Sequence, residues 1–298
     1  MRRFGVAMGL GVALALSACS GPSETEVFVK GGRFTPGNDA SYPEERRGQP
    51  VVVGDFYMDA TEVTNRQFAA FVQATGYVTM AERGFAGDPN VPVAQQVPGS
   101  AVFVMSAPGQ TPGWTFLPGA NWRQPDGPGS SIDGREDEPV VQIAFPDALA
   151  YARWKGRDLP SEAEWEWAAG GGRDMPGRAR PVIDGKPSSN AWDGHFPDAN
   201  TGADGFVGRA PVASFPANAR GLYDMTGNVW EWTRSPWTIN HALPASQDAA
   251  AHTVKGGSFL CARNFCARYR PQSRQRMEDD LGTNHIGFRT VRRVSAGQ

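Results

Sequence analysis

Cys261 and Cys266 stand five residues apart in the segment KGGSFLCARNFCARYR, residues 255–270. The chain has one other cysteine, Cys19. Two thiols this close form either a short disulfide loop or a redox or metal site, and the residue types leave both open. An oxidising compartment favours the disulfide. The glycines, arginines and aromatic residues around the pair give it a chemical setting.

Cys19 belongs to another feature. Arg2 and Arg3 precede an apolar stretch at residues 4–16, too short to span a bilayer comfortably, and Leu16-Ser17-Ala18-Cys19 follows. This pattern resembles the lipobox of bacterial lipoproteins. It implies a signal peptide at residues 1–18, lipidation of Cys19, a tether at residues 19–26 and one domain at residues 27–295. Ser20 is not the acidic retention signal, which implies the periplasmic face of the outer membrane. A lipid anchor then holds a water-soluble domain at the membrane surface.

The elements that must position the thiols are short. With 36 Gly and 24 Pro, the chain reads as a loop-rich α+β domain of low regular secondary structure, and nine Trp and 16 Phe supply its core. Buried loop polar groups in such a fold need partners, which bound metal ions would supply. The formal charge of −2 becomes −4 once Arg2 and Arg3 are lost, so nothing basic enough for nucleic acid is present. Residues 51–58 alternate as a strand. Thr64 and Gln67 form a capping box that opens a helix with Phe68, Phe71 and Val72 on one face, ended by Gly76. Residues 86–139 lack periodicity and read as long ordered loop. A second helix is expected at residues 147–154. A third opens at the Ser161–Glu164 capping box and stops at Gly170.

The order of the blocks DATEVTNRQFAAFVQATGYV, GANWRQPDGPGSSIDG, LPSEAEWEWAAGGG, GLYDMTGNVWEWT, GGSFLCARNFCARYRP and NHIGFR resembles the formylglycine-generating enzyme, or sulfatase-modifying factor, family. The resemblance covers nearly all of residues 26–293. It implies a single C-type-lectin-like domain. It also implies a copper-dependent oxidase that uses O2 to convert a cysteine of an exported client protein, of sulfatase type, to formylglycine. Soft thiolates select Cu(I), and by position Cys261 and Cys266 are its ligands. Ser258 and Trp230 match residues beside the reacting centre, and Arg263 and Arg274 match basic residues flanking a substrate groove. Two Ca2+ sites are implied: Asn190, Ala191, Asp204 and Phe206 form one, and Asp224, Gly227, Val229 and Glu231 the other. Oxygen-rich turns suit that ion. Two alternatives stay open: a non-catalytic, calcium-stabilised surface binding module, or a copper or thiol-redox lipoprotein.

Some positions depart from the family pattern. Glu138 and Gln142 stand where histidines are usual, and Asp158 where a basic residue is usual. These are expected to alter the client surface. His195, His241, His252 and His285 do not pair at helical ligand spacing, which argues against the three-histidine iron site of sulfoxide synthases. Met105, Met175 and Met277 read as packing residues.

Overall fold

The computed structural model describes residues 25–37, 40–87, 89, 91–105, 111–170, 182–183, 185–242 and 250–294. The expected signal peptide, Cys19 and most of the tether lie outside them. Among the described residues no helix is long and apolar enough to cross a membrane.

The chain opens with β1 (Glu26–Val29), β2 (Gly32–Phe34), β3 (Val51–Val53) and β4 (Phe56–Asp59). The single strand expected at 51–58 is thus two, interrupted at Gly54 and Asp55. Asp55 Oδ1 accepts from Gly31 N at 2.7 Å, and the two halves enter different sheets: β3 pairs with β2, while β4 lies between β1 and β13 (Val291–Arg293).

The helices follow their caps. In α1 (Asn65–Thr75), Thr64 and Gln67 bond each other's backbone N–H, and Gly76 ends the helix at φ 67°. A short α2 (Met80–Arg83) follows. The region read as loop contains a hairpin, β5 (Gly99–Val104) and β6 (Gly113–Pro118). α3 (Phe145–Trp154) begins two residues before the expected start, because Pro146 sits in its first turn, where a missing N–H costs nothing. α4 (Glu162–Ala169) is capped by Ser161 and stopped by Gly170.

After β7 (Val182–Ile183) and β8 (Lys186–Pro187), residues 188–229 carry neither helix nor strand. A four-stranded sheet then forms from β9 (Trp230–Pro236), β10 (Ala251–Lys255), β11 (Arg274–Glu278) and β12 (Ile286–Gly287), in the order β11-β10-β9-β12. β12 runs parallel to β9 and the other pairs are antiparallel. One core cluster packs Phe68, Phe71 and Tyr151 of α1 and α3 against Trp230, Trp232 and Phe288, and it contains Cys261. A second joins β1, β3 and β4 to Trp165 of α4.

Charge is buried where α4 meets β10 and β11. Lys255 Nζ lies 2.9 Å from Glu166 Oε2, and Arg274 Nε lies 2.7 Å from Glu162 Oε1. Both cations are fully buried. Burial opposes ionisation of Glu162, but Arg274 and Lys255 outweigh it and bring the carboxyl down to about 2. His241 lies 3.7 Å and 3.8 Å from the same carboxylates, a grouping with the makings of a metal site. The Lys255 ammonium and the Arg274 guanidinium already neutralise its two carboxylates. Breaking one member of such a pair strands a buried charge, at about 3–5 kcal/mol. Arg274→Met is therefore expected to lower the unfolding free energy by about that amount in urea titration. A loss within the scatter of surface substitutions would contradict this account.

Candidate active site

The thiol segment leaves β10 through Gly256 and Gly257, at φ 97° and 80°. A Cβ on Gly257 would stand 2.4 Å from the Arg268 carbonyl oxygen, so only glycine lets the two ends of the segment meet. Ser258 starts a turn in which its carbonyl accepts from Cys261 N at 2.9 Å. Residues 262–265 then form a tight hairpin. Ala262 and Phe265 exchange backbone bonds of 2.8 Å and 3.1 Å, and Ala267 N also donates to the Ala262 carbonyl. Asn264 pins this hairpin to Phe196, accepting from its N at 3.1 Å and donating to its carbonyl at 2.9 Å.

The result brings the Cys261 and Cys266 sulfurs to 2.8 Å, joined by a hydrogen bond between free thiols. A disulfide bond would be about 2.05 Å. The pair sits at the wall of a cavity of about 430 Å³, which Ser258 and Trp230 also line. Phe103, Trp114, Phe196 and Phe265 give that cavity an aromatic rim, and Phe196 and Phe265 stack at 4.4 Å. Trp114 and Phe265 are about half exposed.

The two thiols are electrostatically unequal. Burial, and then the neighbouring Cys266, push the Cys261 thiol up. The hydrogen bond from Cys261 outweighs burial at Cys266, and the Arg268 guanidinium adds to it, bringing that thiol down to about 7. Ionisation is therefore easier at Cys266 than at Cys261. Only the thiolate form is nucleophilic and metal-binding.

Other expected residues fall in different places. Arg263 is exposed on the hairpin, outside the cavity lining. The expectation for Arg274 is corrected: it is fully buried, and its guanidinium is used by Glu162, Thr238 and the Glu44 carbonyl, leaving nothing for a client. Glu138, Gln142 and Asp158 do not line the cavity either. Gln142 is fully buried and donates to the Pro125 carbonyl at 2.6 Å, while Asp158 pairs with Arg234 and Arg293.

Sequence reasoning missed Arg268 and His285. His285 lines the cavity, meets the Trp114 ring at 4.7 Å in a tilted contact and shares a 2.6 Å bond with Thr283 Oγ1; burial pushes its pKa down to about 3, so it stays neutral. Its lack of a histidine partner hid it. Arg268 was hidden between Arg263 and Arg270, with nothing in the spacing to single it out.

The oxygen-rich turns also converge. Asp204 accepts from Ala191 N at 3.2 Å and Phe206 N at 2.9 Å, so Asn190, Ala191, Asp204 and Phe206 share one loop cluster. In the other set, Glu231 bonds Arg289 through both oxygens and Trp165 through one. Asp224, at φ 55°, accepts from Ala213 N at 2.7 Å. Burial pushes the Asp224 carboxyl up to about 6 and raises Glu62 well above the usual carboxylate range. Glu62 Oε2 is buried with no hydrogen-bond partner. Three buried carboxyls therefore face one guanidinium, and this crowding favours the protonated forms of Glu62 and Asp224, which an added cation would ionise.

This architecture defines a loop-rich, C-type-lectin-like domain with a thiol pair at the wall of an aromatic cavity. Residues 13–294 match the family model of the sulfatase-modifying factor enzyme 1-like domain, and the chain belongs to that family, the formylglycine-generating enzymes. It is 43% identical to the formylglycine-generating enzyme of Mycobacterium tuberculosis over 89% of this chain and 96% of the relative. It is also 37% identical to the inactive C-alpha-formylglycine-generating enzyme 2 of Mus musculus, over 91% and 86%. Among solved structures, PvdO from Pseudomonas aeruginosa shares the fold, with a TM-score of 0.60 at 22% identity, over 90% of this chain and 94% of that one.

The inequality of the thiols is measurable. Iodoacetamide labelling of Cys266 is expected to rise as pH passes about 7, while Cys261 labels only in more alkaline solution. Parallel titration of both near the ordinary cysteine value, about 8.5, would contradict the assignment.

Proposed function

We propose that this chain converts a cysteine of a client protein to formylglycine, using O2 at a Cu(I) ion held by Cys261 and Cys266. The carrying observation is the convergence of the two sulfurs, 2.8 Å apart, at the cavity wall. An inactive relative at 37% identity means that membership alone does not decide activity; the thiol pair favours the active reading. The donor set fits the ion, since two soft sulfurs on one turn suit Cu(I), and one of them ionises near neutral pH.

Copper bound there would supply a soft centre for the client thiolate and an electron source for O2. Conversion of the client's thiol-bearing methylene to an aldehyde takes up O2, two electrons and two protons, and releases one hydrogen sulfide and one water. A thiol reductant supplies the electrons. The protein's own part is positioning. The aromatic rim takes the client chain and sheds water, while Ser258 and Trp230 shape the space next to the sulfurs. Arg263, exposed on the hairpin, is free to meet the client. Membrane attachment through Cys19 would place the reaction outside the cytoplasm, with an exported, sulfatase-type client.

The test is mass spectrometry of a Cys-x-Pro-x-Arg peptide incubated with the protein, Cu(I), O2 and a thiol. Wild type is expected to form the aldehyde, and Cys266→Ser to form none while melting normally. Failure of wild type across a cysteine-peptide library, with copper bound, would leave a surface binding module as the better account.

Ca2+ is proposed in a structural role at the Asp204 and Asp224 clusters, on the strength of their oxygen donors and the crowding of the Glu62, Asp224 and Glu231 carboxyls, which raises the first two. Binding to the native state alone stabilises by about 2.7 kcal/mol at a hundredfold excess over the dissociation constant. Chelator is expected to lower the melting temperature, and less so in Asp204→Ala. Identical melting with and without chelator would overturn the calcium assignment.

A further inference from the structure

Cys266 holds a backbone state that L residues avoid. Its φ is 67°, and Ala267 follows at 40°. Non-glycine residues stay in that region only where neighbouring contacts over-determine them. Here the hairpin bonds of Ala267 are joined by contacts from a turn 224 residues upstream. Tyr42 Oη donates to the Cys266 carbonyl at 2.6 Å. The Arg268 guanidinium lies on the Tyr42 ring at 4.0 Å, is ion-paired with Glu44, and places Nη1 3.9 Å from Cys266 Sγ.

The turn itself is rigid. Glu45 is fully buried and accepts from Ser41 N at 2.8 Å and Tyr42 N at 3.3 Å. It also binds Arg270 through both oxygens, at 2.6 Å and 2.7 Å. Residues 266, 268 and 270 of the returning segment are therefore all fastened to residues 42–45.

We propose that the turn at residues 42–45 is a positioning device for the second thiol, in which Tyr42 and Arg268 hold the strained backbone of Cys266 and keep its sulfur against Cys261. Tyr42, Glu44 and Arg268 act through Cys266 and are positioning residues. The device matters for catalysis only on the copper reading above, but its geometry is independent of any ion. A purely space-filling Tyr42 would be served equally well by phenylalanine, which keeps the ring beneath Arg268 and removes only the hydroxyl.

The test uses the full chain with Tyr42→Phe and Arg268→Met. One readout is closure of the Cys261–Cys266 disulfide by diamide, which takes up the two electrons and two protons that the thiols release. The second is Cu(I) affinity in competition with bathocuproine disulfonate, and the third is the melting temperature. Both variants are expected to close more slowly and bind Cu(I) more weakly, each by up to about tenfold, the scale of one lost hydrogen bond. Tyr42→Phe should melt within a few degrees of wild type, as the loss of one hydrogen bond allows. Wild-type closure and affinity in folded Tyr42→Phe would overturn the proposal, whatever the fate of Arg268→Met. If wild type takes up no Cu(I), the copper reading fails by itself, and the closure rate alone decides on the positioning device.

Discussion

Lys255 and Arg274 are buried cations, and the carboxylates that neutralise them stand one turn apart on α4. A loop-rich domain has few ladders to absorb polar groups, so its interior must be closed by specific partners. Here the pairing fixes α4 against β10 and β11, and Glu166 also accepts from Gly37 N at 3.0 Å, drawing in the N-terminal loop. The thiol segment begins directly after Lys255 and ends shortly before Arg274. Both of its ends are therefore anchored on the same helix, and the loop between them is free to specialise.

That loop is fastened to its surroundings by backbone as well. Trp192 N donates to the Cys261 carbonyl at 3.1 Å, and Phe259 N donates to the Asn228 carbonyl at 2.8 Å. The first bond comes from the Asn190–Asp204 loop and the second from the Asp224–Glu231 loop. The oxygen-rich turns are thus the scaffold on which the sulfurs rest. Gly227 lets the two loops touch: a Cβ there would stand 2.1 Å from the Asn190 carbonyl oxygen.

Much of this was legible in the chain. Thr64, Gln67, Gly76, Ser161 and Glu164 announce helix ends because capping is local chemistry, decided within four residues. The strand at 51–58 misled because alternation reports a pleat, not which sheet each half joins. The β5–β6 hairpin was missed because its strands are set off by Gly99 and Gly113 in a run poor in periodic signal. Arg274 was misread for a deeper reason. A charged residue near a reactive motif looks like a substrate contact, and only the approach of Glu162, 112 positions away in sequence, turns it into a buried support. Arg268 and Tyr42 were invisible on the same ground, since their partnership spans the length of the domain.

The sheet that closes the domain has one more consequence. β1 and β13 flank β4, both antiparallel to it, so the first and last strands among the described residues run parallel to each other with one strand between them. Strands in a sheet lie about 4.8 Å apart, which puts these two within roughly 10 Å. Because the two are parallel, a linker from the end of β13 to the start of β1 would have to cross back along the sheet, and new ends could be opened in an exposed loop elsewhere. The order in which the blocks are written along the chain is then separable from the architecture they build: a circularly permuted polypeptide could assemble the same thiol site from a different starting point.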